Sequence, residues 1–194
     1  MSMGFGMAAF VVLSMAFNLL HIPLNWAIYL GISLMLLAYF IMTKELDLSL
    51  PKPDKALILV LVMVFINIYI FWAGANAYPY LEDGDPWIHA TGIKWIKMTQ
   101  SFSTHYDATH FERLYIEPYP PGYDVLLGVI HQLTSSASDT LKFFNVILIG
   151  FALITAFYCF EEMLKSRNLA LFATFMLLVL PSFMSHFIWA QTLA

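Results

Sequence analysis

The sequence predicts an all-α protein: a polytopic bundle of about five transmembrane helices, with a long external loop carrying short interfacial helices. Three observations predict it. The 194-residue chain is 60% hydrophobic and 11% charged, with a mean hydropathy of +0.74, far from the balance of a soluble domain. Its charges are segregated, and no Lys, Arg, Asp or Glu occurs from Met1 to Thr43. Its apolar runs approach the roughly 20 residues that a helix needs to cross a bilayer.

Met3 to Thr43 is twice that length, and His21-Ile22-Pro23-Leu24-Asn25 interrupts it. Pro23 removes a helical donor and pushes Ile22 toward extended backbone. A tight hairpin is expected, with helices from about Gly4 to Leu20 and from Leu24 to Met42. Lys44 to Lys55 is a polar linker holding Pro51 and Pro53, and a third span runs from Ala56 to about Ala75. Two later runs are long enough to cross, Leu141 to Phe160 and Leu169 to Ile188. Tyr123 to Leu133, between Pro120-Pro121 and Thr134-Ser135-Ser136, is too short and is expected to be re-entrant or interfacial. The chain then divides into an N-terminal hairpin (1–43), a linker (44–55) and a region from 56 to 194 whose loop spans 76–140.

If the short run does not cross, Lys44, Lys52 and Lys55 share a side with Lys165 and Arg167. The positive-inside rule puts that side in the cytoplasm. An integral protein of the cell membrane follows, with a cytoplasmic N-terminus and the 76–140 loop outside. The N-terminus lacks a basic n-region and reads as mature chain rather than a cleaved signal. A net charge of -4 and a pI near 5.8 give no footing for nucleic acid. The single cysteine, Cys159, excludes an intrachain disulfide framework.

The external loop is acidic on balance, with Glu82, Asp83, Asp85, Asp107, Glu112, Glu117, Asp124 and Asp139 against Lys94, Lys97 and Arg113. Pro86 to Phe102 reads as an amphipathic helix, with Asp85 at the cap and Pro86 at the first helical position. Ile88, Trp95, Ile96 and Phe102 are expected to face lipid, while Trp87, Trp95, Lys94 and Lys97 suit the headgroup layer.

Chemistry concentrates in Glu82-Asp83-Gly84-Asp85-Pro86-Trp87-Ile88-His89, directly after the third span. Gly84 lets the backbone turn sharply, so Asp83 and Asp85 can converge. Paired hard oxygen donors suit Mg²⁺ or Mn²⁺. His89 lies four residues after Asp85, one helical turn on, where it can ligate the cation or donate to a phosphate. His105-Tyr106-Asp107-Ala108-Thr109-His110 offers two imidazoles and a carboxylate, but its spacing fits no zinc pattern. His186 and Gln191, near the outer end of the last run, are candidates to approach Asp85. Glu161 and Glu162 beside Lys165 and Arg167 read as a helix-end charge cluster.

Asp85-Pro86-Trp87-Ile88-His89 resembles an Asp-Pro-aromatic-x-Asn/His element in the first external loop of oligosaccharyltransferase catalytic subunits, members of the GT-C class of polytopic glycosyltransferases. Tyr119-Pro120-Pro121-Gly122-Tyr123 is similar to that family's Tyr-Pro-Pro-Gly element. Leu169 to His186 is similar to its third conserved span and exit. The resemblance covers about Ala56 to the C-terminus. It implies that Asp85 serves at a divalent-metal or acceptor-binding position. With the residue reading above, Asp85 and Asp83 are expected to bind the cation and serve catalysis, and His89, His186 and Gln191 to contact substrate. The resemblance also implies a sugar donor linked to polyprenyl phosphate, handled among membrane lipids outside the cytoplasm. Ala90 stands where the family has Arg, and no Trp-Trp-Asp acceptor motif occurs, which favours a general GT-C transferase over asparagine glycosylation. The apolar ending at Leu193-Ala194 reads as the front portion of a longer enzyme. The alternatives are a transporter fragment, against which the near absence of ionisable residues in the spans argues, and a non-catalytic membrane module.

Overall fold

The structure, a computed structural model, describes residues 2–43, 54–81, 84–103 and 121–180. These residues form seven helices and no strand: α1 (Ser2–Leu19), α2 (Trp26–Met42), α3 (Lys55–Ala77), α4 (Gly84–Thr99), α5 (Gly122–His131), α6 (Ala137–Leu164) and α7 (Arg167–Val179). Two of them, α3 with 23 residues and α6 with 28, are long and apolar enough to cross a membrane. At 1.5 Å per residue they extend about 34 and 42 Å. Apolar segments of α1, α2 and α7 are shorter.

Contacts divide the described residues into two compact units, and the division falls between Ala90 and Thr91 of α4. One unit contains α3, the start of α4, α6 and α7. Its core is Val60 and Val64 of α3, Leu153 and Phe157 of α6 and Ala170 of α7. A second cluster joins Phe71 to Val146 and Ile149. Gly150 permits close approach of α6 to α3, because a β-carbon there would meet Ile68 at 3.1 Å and Val64 at 3.4 Å. Three side-chain caps start these helices: Asp54 accepts from the Leu57 N–H (2.8 Å), Ser136 from Asp139 (3.1 Å) and Ser166 from Leu169 (3.5 Å). Each satisfies an amide with no intrahelical acceptor.

One end of this unit is closed by charge. The Arg167 guanidinium donates to both carboxylate oxygens of Asp54 and, at 2.5 Å, to Glu161. It also lies 5.3 Å from the centre of the Phe157 ring. Lys165 pairs with Glu162. The expected helix-end charge cluster is therefore present, and it links the start of α3 to both α6 and α7.

The other unit contains α1, α2, the second part of α4 and α5. Leu24, Tyr29, Ile96, Val125 and Val129 form its core, with Phe10, Leu13, Phe17, Trp95 and Phe102 packed against them. Here the lipid-facing expectation for α4 is corrected: Ile96 is 0% exposed, and Trp95 and Phe102 join the core. A helix followed by tertiary partners hides its apolar face in protein before lipid is needed. The turn after α1 forms as Pro23 predicts, with His21 at φ 59° ending the helix and Asn25 capping α2 through the Ala27 N–H.

That turn is tied down by hydrogen bonds. The Leu24 N–H donates to the Gln100 carbonyl (2.7 Å). The Gln132 amide donates to the Leu24 carbonyl (2.7 Å) and accepts from the Trp26 N–H (3.0 Å). Asn18 accepts from the Phe102 N–H (3.0 Å) and the Ser101 hydroxyl (2.8 Å).

Candidate functional site

The segment after α3 carries the sequence-predicted site. α3 ends at Ala77, and Tyr78 follows in extended backbone. The rings of Tyr78 and Tyr80 are exposed and meet edge to face at 5.8 Å. Leu81 is buried, and its carbonyl accepts from the Trp87 indole at 3.2 Å. This bond closes the chain back onto the first turn of α4.

α4 begins at Gly84, earlier than Pro86, so Asp85 lies within the first turn rather than at the cap. Pro86 is accommodated because the first-turn amides need no intrahelical acceptor. A carboxylate there is favoured by the positive end of the helix dipole. Asp85 is half-buried and His89, one turn on, is 2% exposed. Helical geometry puts the two on one face, with Asp85 the one that solvent reaches. Glu82, Asp83, His186, Gln191 and the His105 to His110 stretch lie outside the described residues.

Among the described residues no group of three or more His, Cys, Asp or Glu is placed to hold a metal ion. Of the predicted cation pair only Asp85 is described, one carboxylate of the kind Mg²⁺ takes while keeping several waters.

Sequence reasoning missed the burial of three ionisable groups, Lys142, Asp124 and His131. Lys142 is 4% exposed in α6, and its ammonium donates to the Tyr78 carbonyl at 2.7 Å. Its helical position was expected, within the run Leu141 to Phe160, but no local pattern signals its burial. Asp124 and His131 are both buried on α5. His131 Nδ1 lies 2.6 Å from the Thr134 hydroxyl, and the Thr134 carbonyl accepts from Lys97 at 2.6 Å. Burial, and then the charges of Lys97 and Lys94, hold His131 below the usual imidazole range.

No protein-family model, curated protein or solved structure matches the chain.

Proposed function

We propose that this chain is a membrane-embedded glycosyltransferase, or the N-terminal part of one, transferring a sugar from a polyprenyl-phosphate donor to an acceptor at the outer membrane surface. The observation that carries the reading is the half-buried Asp85 in the first turn of α4, close after Ala77, the last residue of a long apolar helix, with buried His89 one turn on. The matching topology has five crossings, α1, α2, α3, α6 and the run Leu169 to Ile188 that starts in α7 and extends outside the described residues, with α4 and α5 on the outer side. The ten residues of α5 support its place there, since they extend only about 15 Å. The cluster of Asp54, Glu161, Lys165 and Arg167 then marks the cytoplasmic end.

Asp85, with Asp83, would hold a divalent cation, which when bound supplies positive charge beside the departing phosphate. The acceptor's lone pair bonds to the anomeric carbon. The bond from that carbon to the phosphate oxygen breaks, and the oxygen keeps the electron pair. The acceptor's proton passes to a carboxylate, for which Asp83 is the candidate. His89, one turn after Asp85, would orient the donor phosphate or the acceptor.

The test is transfer from a labelled polyprenyl-phosphate sugar in membranes bearing Asp85→Ala. Transfer should fall by about 10²-fold or more with expression unchanged, and chelation of Mg²⁺ and Mn²⁺ should silence the parent. Parent-level transfer by the variant would sink the assignment.

A further inference from the structure

We infer that Lys142 is an anion-binding group whose ammonium takes a phosphate-type anion at the Tyr78 end of α3. Lysine is almost never fully buried without a partner of opposite charge. Lys142 is buried, yet its hydrogen bond goes to a neutral carbonyl. No carboxylate among the described residues pairs with it. Arg167 in the same unit shows the contrast, with two carboxylates against one guanidinium.

The Tyr78 carbonyl belongs to the C-terminal end of α3, where the helix dipole contributes only about half a negative charge. One acceptor occupies one of three ammonium hydrogens, so two donors remain. Lysine is a compact point charge that commonly binds phosphate in this way. Its surroundings indicate depth. The exposed rings of Tyr78 and Tyr80 and the Trp72–Phe143 pair, edge to face at 6.0 Å, are the kind of aromatic belt found at headgroup level. A phosphate carried by a lipid sits at that level, while a free phosphate would enter from water.

The proposal deepens the transferase reading, for which the donor's phosphate is the natural anion. Its test uses sugar-free probes, so its outcome is separate from loss of transfer in Asp85→Ala. The full chain, reconstituted in phosphatidylcholine nanodiscs, is titrated with inorganic phosphate, and in a second arm is placed in nanodiscs containing polyprenyl phosphate. Binding is read from tryptophan fluorescence, to which Trp72 beside Phe143 contributes, and from the melting temperature. The parent should bind in at least one arm, and which arm responds identifies the source of the phosphate. Lys142→Met should weaken binding at least tenfold and Lys142→Arg should retain most of it. Failure of the parent to bind in either arm overturns the proposal even if the variants do not fold. Parent-like binding by a folded Lys142→Met overturns it equally.

Discussion

The unit of α3, α6 and α7 keeps its strongest polar contacts at helix ends, whereas the unit of α1, α2, the later part of α4 and α5 threads them through its turns. In the first, three helices meet through Val60, Val64, Leu153 and Phe157, and Arg167 closes one end with Asp54 and Glu161. In the second, Asn18, Leu24, Gln100 and Gln132 hold the turn after α1 against the ends of α4 and α5. Apolar surface is abundant in both, so it does little to distinguish one arrangement from another. Hydrogen bonds have fixed partners and geometry, and they supply the register that packing alone leaves open.

Changes at glycines of the unit of α1, α2 and α5 should have the largest effect. A β-carbon at Gly128 would lie 2.7 Å from the Ile96 side chain, while one at Gly31 in α2 would meet nothing within 4 Å. Gly128→Leu should destabilise the protein by about 1–3 kcal/mol through overpacking, and Gly31→Ala should gain a few tenths to about 1 kcal/mol. Equal unfolding midpoints for the two variants in detergent would remove the close approach of α5 and α4 from the account.

Asn67 gives a smaller effect of opposite sign. It is 0% exposed in α3, and neither its amide nitrogen nor its oxygen has a hydrogen-bond partner among the described residues. Asn67→Leu removes a buried unsatisfied group of similar size, so stability should rise by about 1–2 kcal/mol. A loss of stability in the same unfolding measurement would mean that a bound polar group answers the amide.

Acid should affect the two units in sequence, with the smallest changes of the three. His131 binds its proton less readily folded than unfolded, so its contribution is full above about pH 6.5 and declines as pH falls below that value. Asp54 is held below the usual carboxylate range by the Arg167 guanidinium and then the Leu57 N–H. Its contribution is full above about pH 3.9 and is lost only as pH falls through its lower folded value. Between pH 7 and 5, hydrogen-exchange protection should weaken in α5 and hold in α7. The reverse ranking would break the comparison.

Much of the fold was legible. Pro23 marked the turn after α1, the unbroken run from Ala56 marked α3, and Glu161 with Arg167 marked the charged helix end. Boundaries at polar starts were harder. α6 begins at Ala137, four residues before the apolar count expects, because the Ser136 hydroxyl caps the Asp139 amide. α4 begins at Gly84 because proline is tolerated throughout a first turn. Of the candidate site, Asp85 and His89 were visible as a pair one turn apart. Lys142 was not, since a lysine in a sequence carries no sign of whether its ammonium meets water, a carboxylate or a carbonyl.

By itself the sequence determined the helical class, the two long apolar helices and the acidic segment after α3, because composition and local backbone preference act over a few neighbouring residues. Only the tertiary structure decided that Ile96 is core rather than lipid-facing, that His89 is enclosed while Asp85 is half open, and that Lys142 reaches the Tyr78 carbonyl. Each of these depends on residues distant in the chain that displace water or lipid from one face of a helix. That displacement is a property of packing, and no local pattern encodes it.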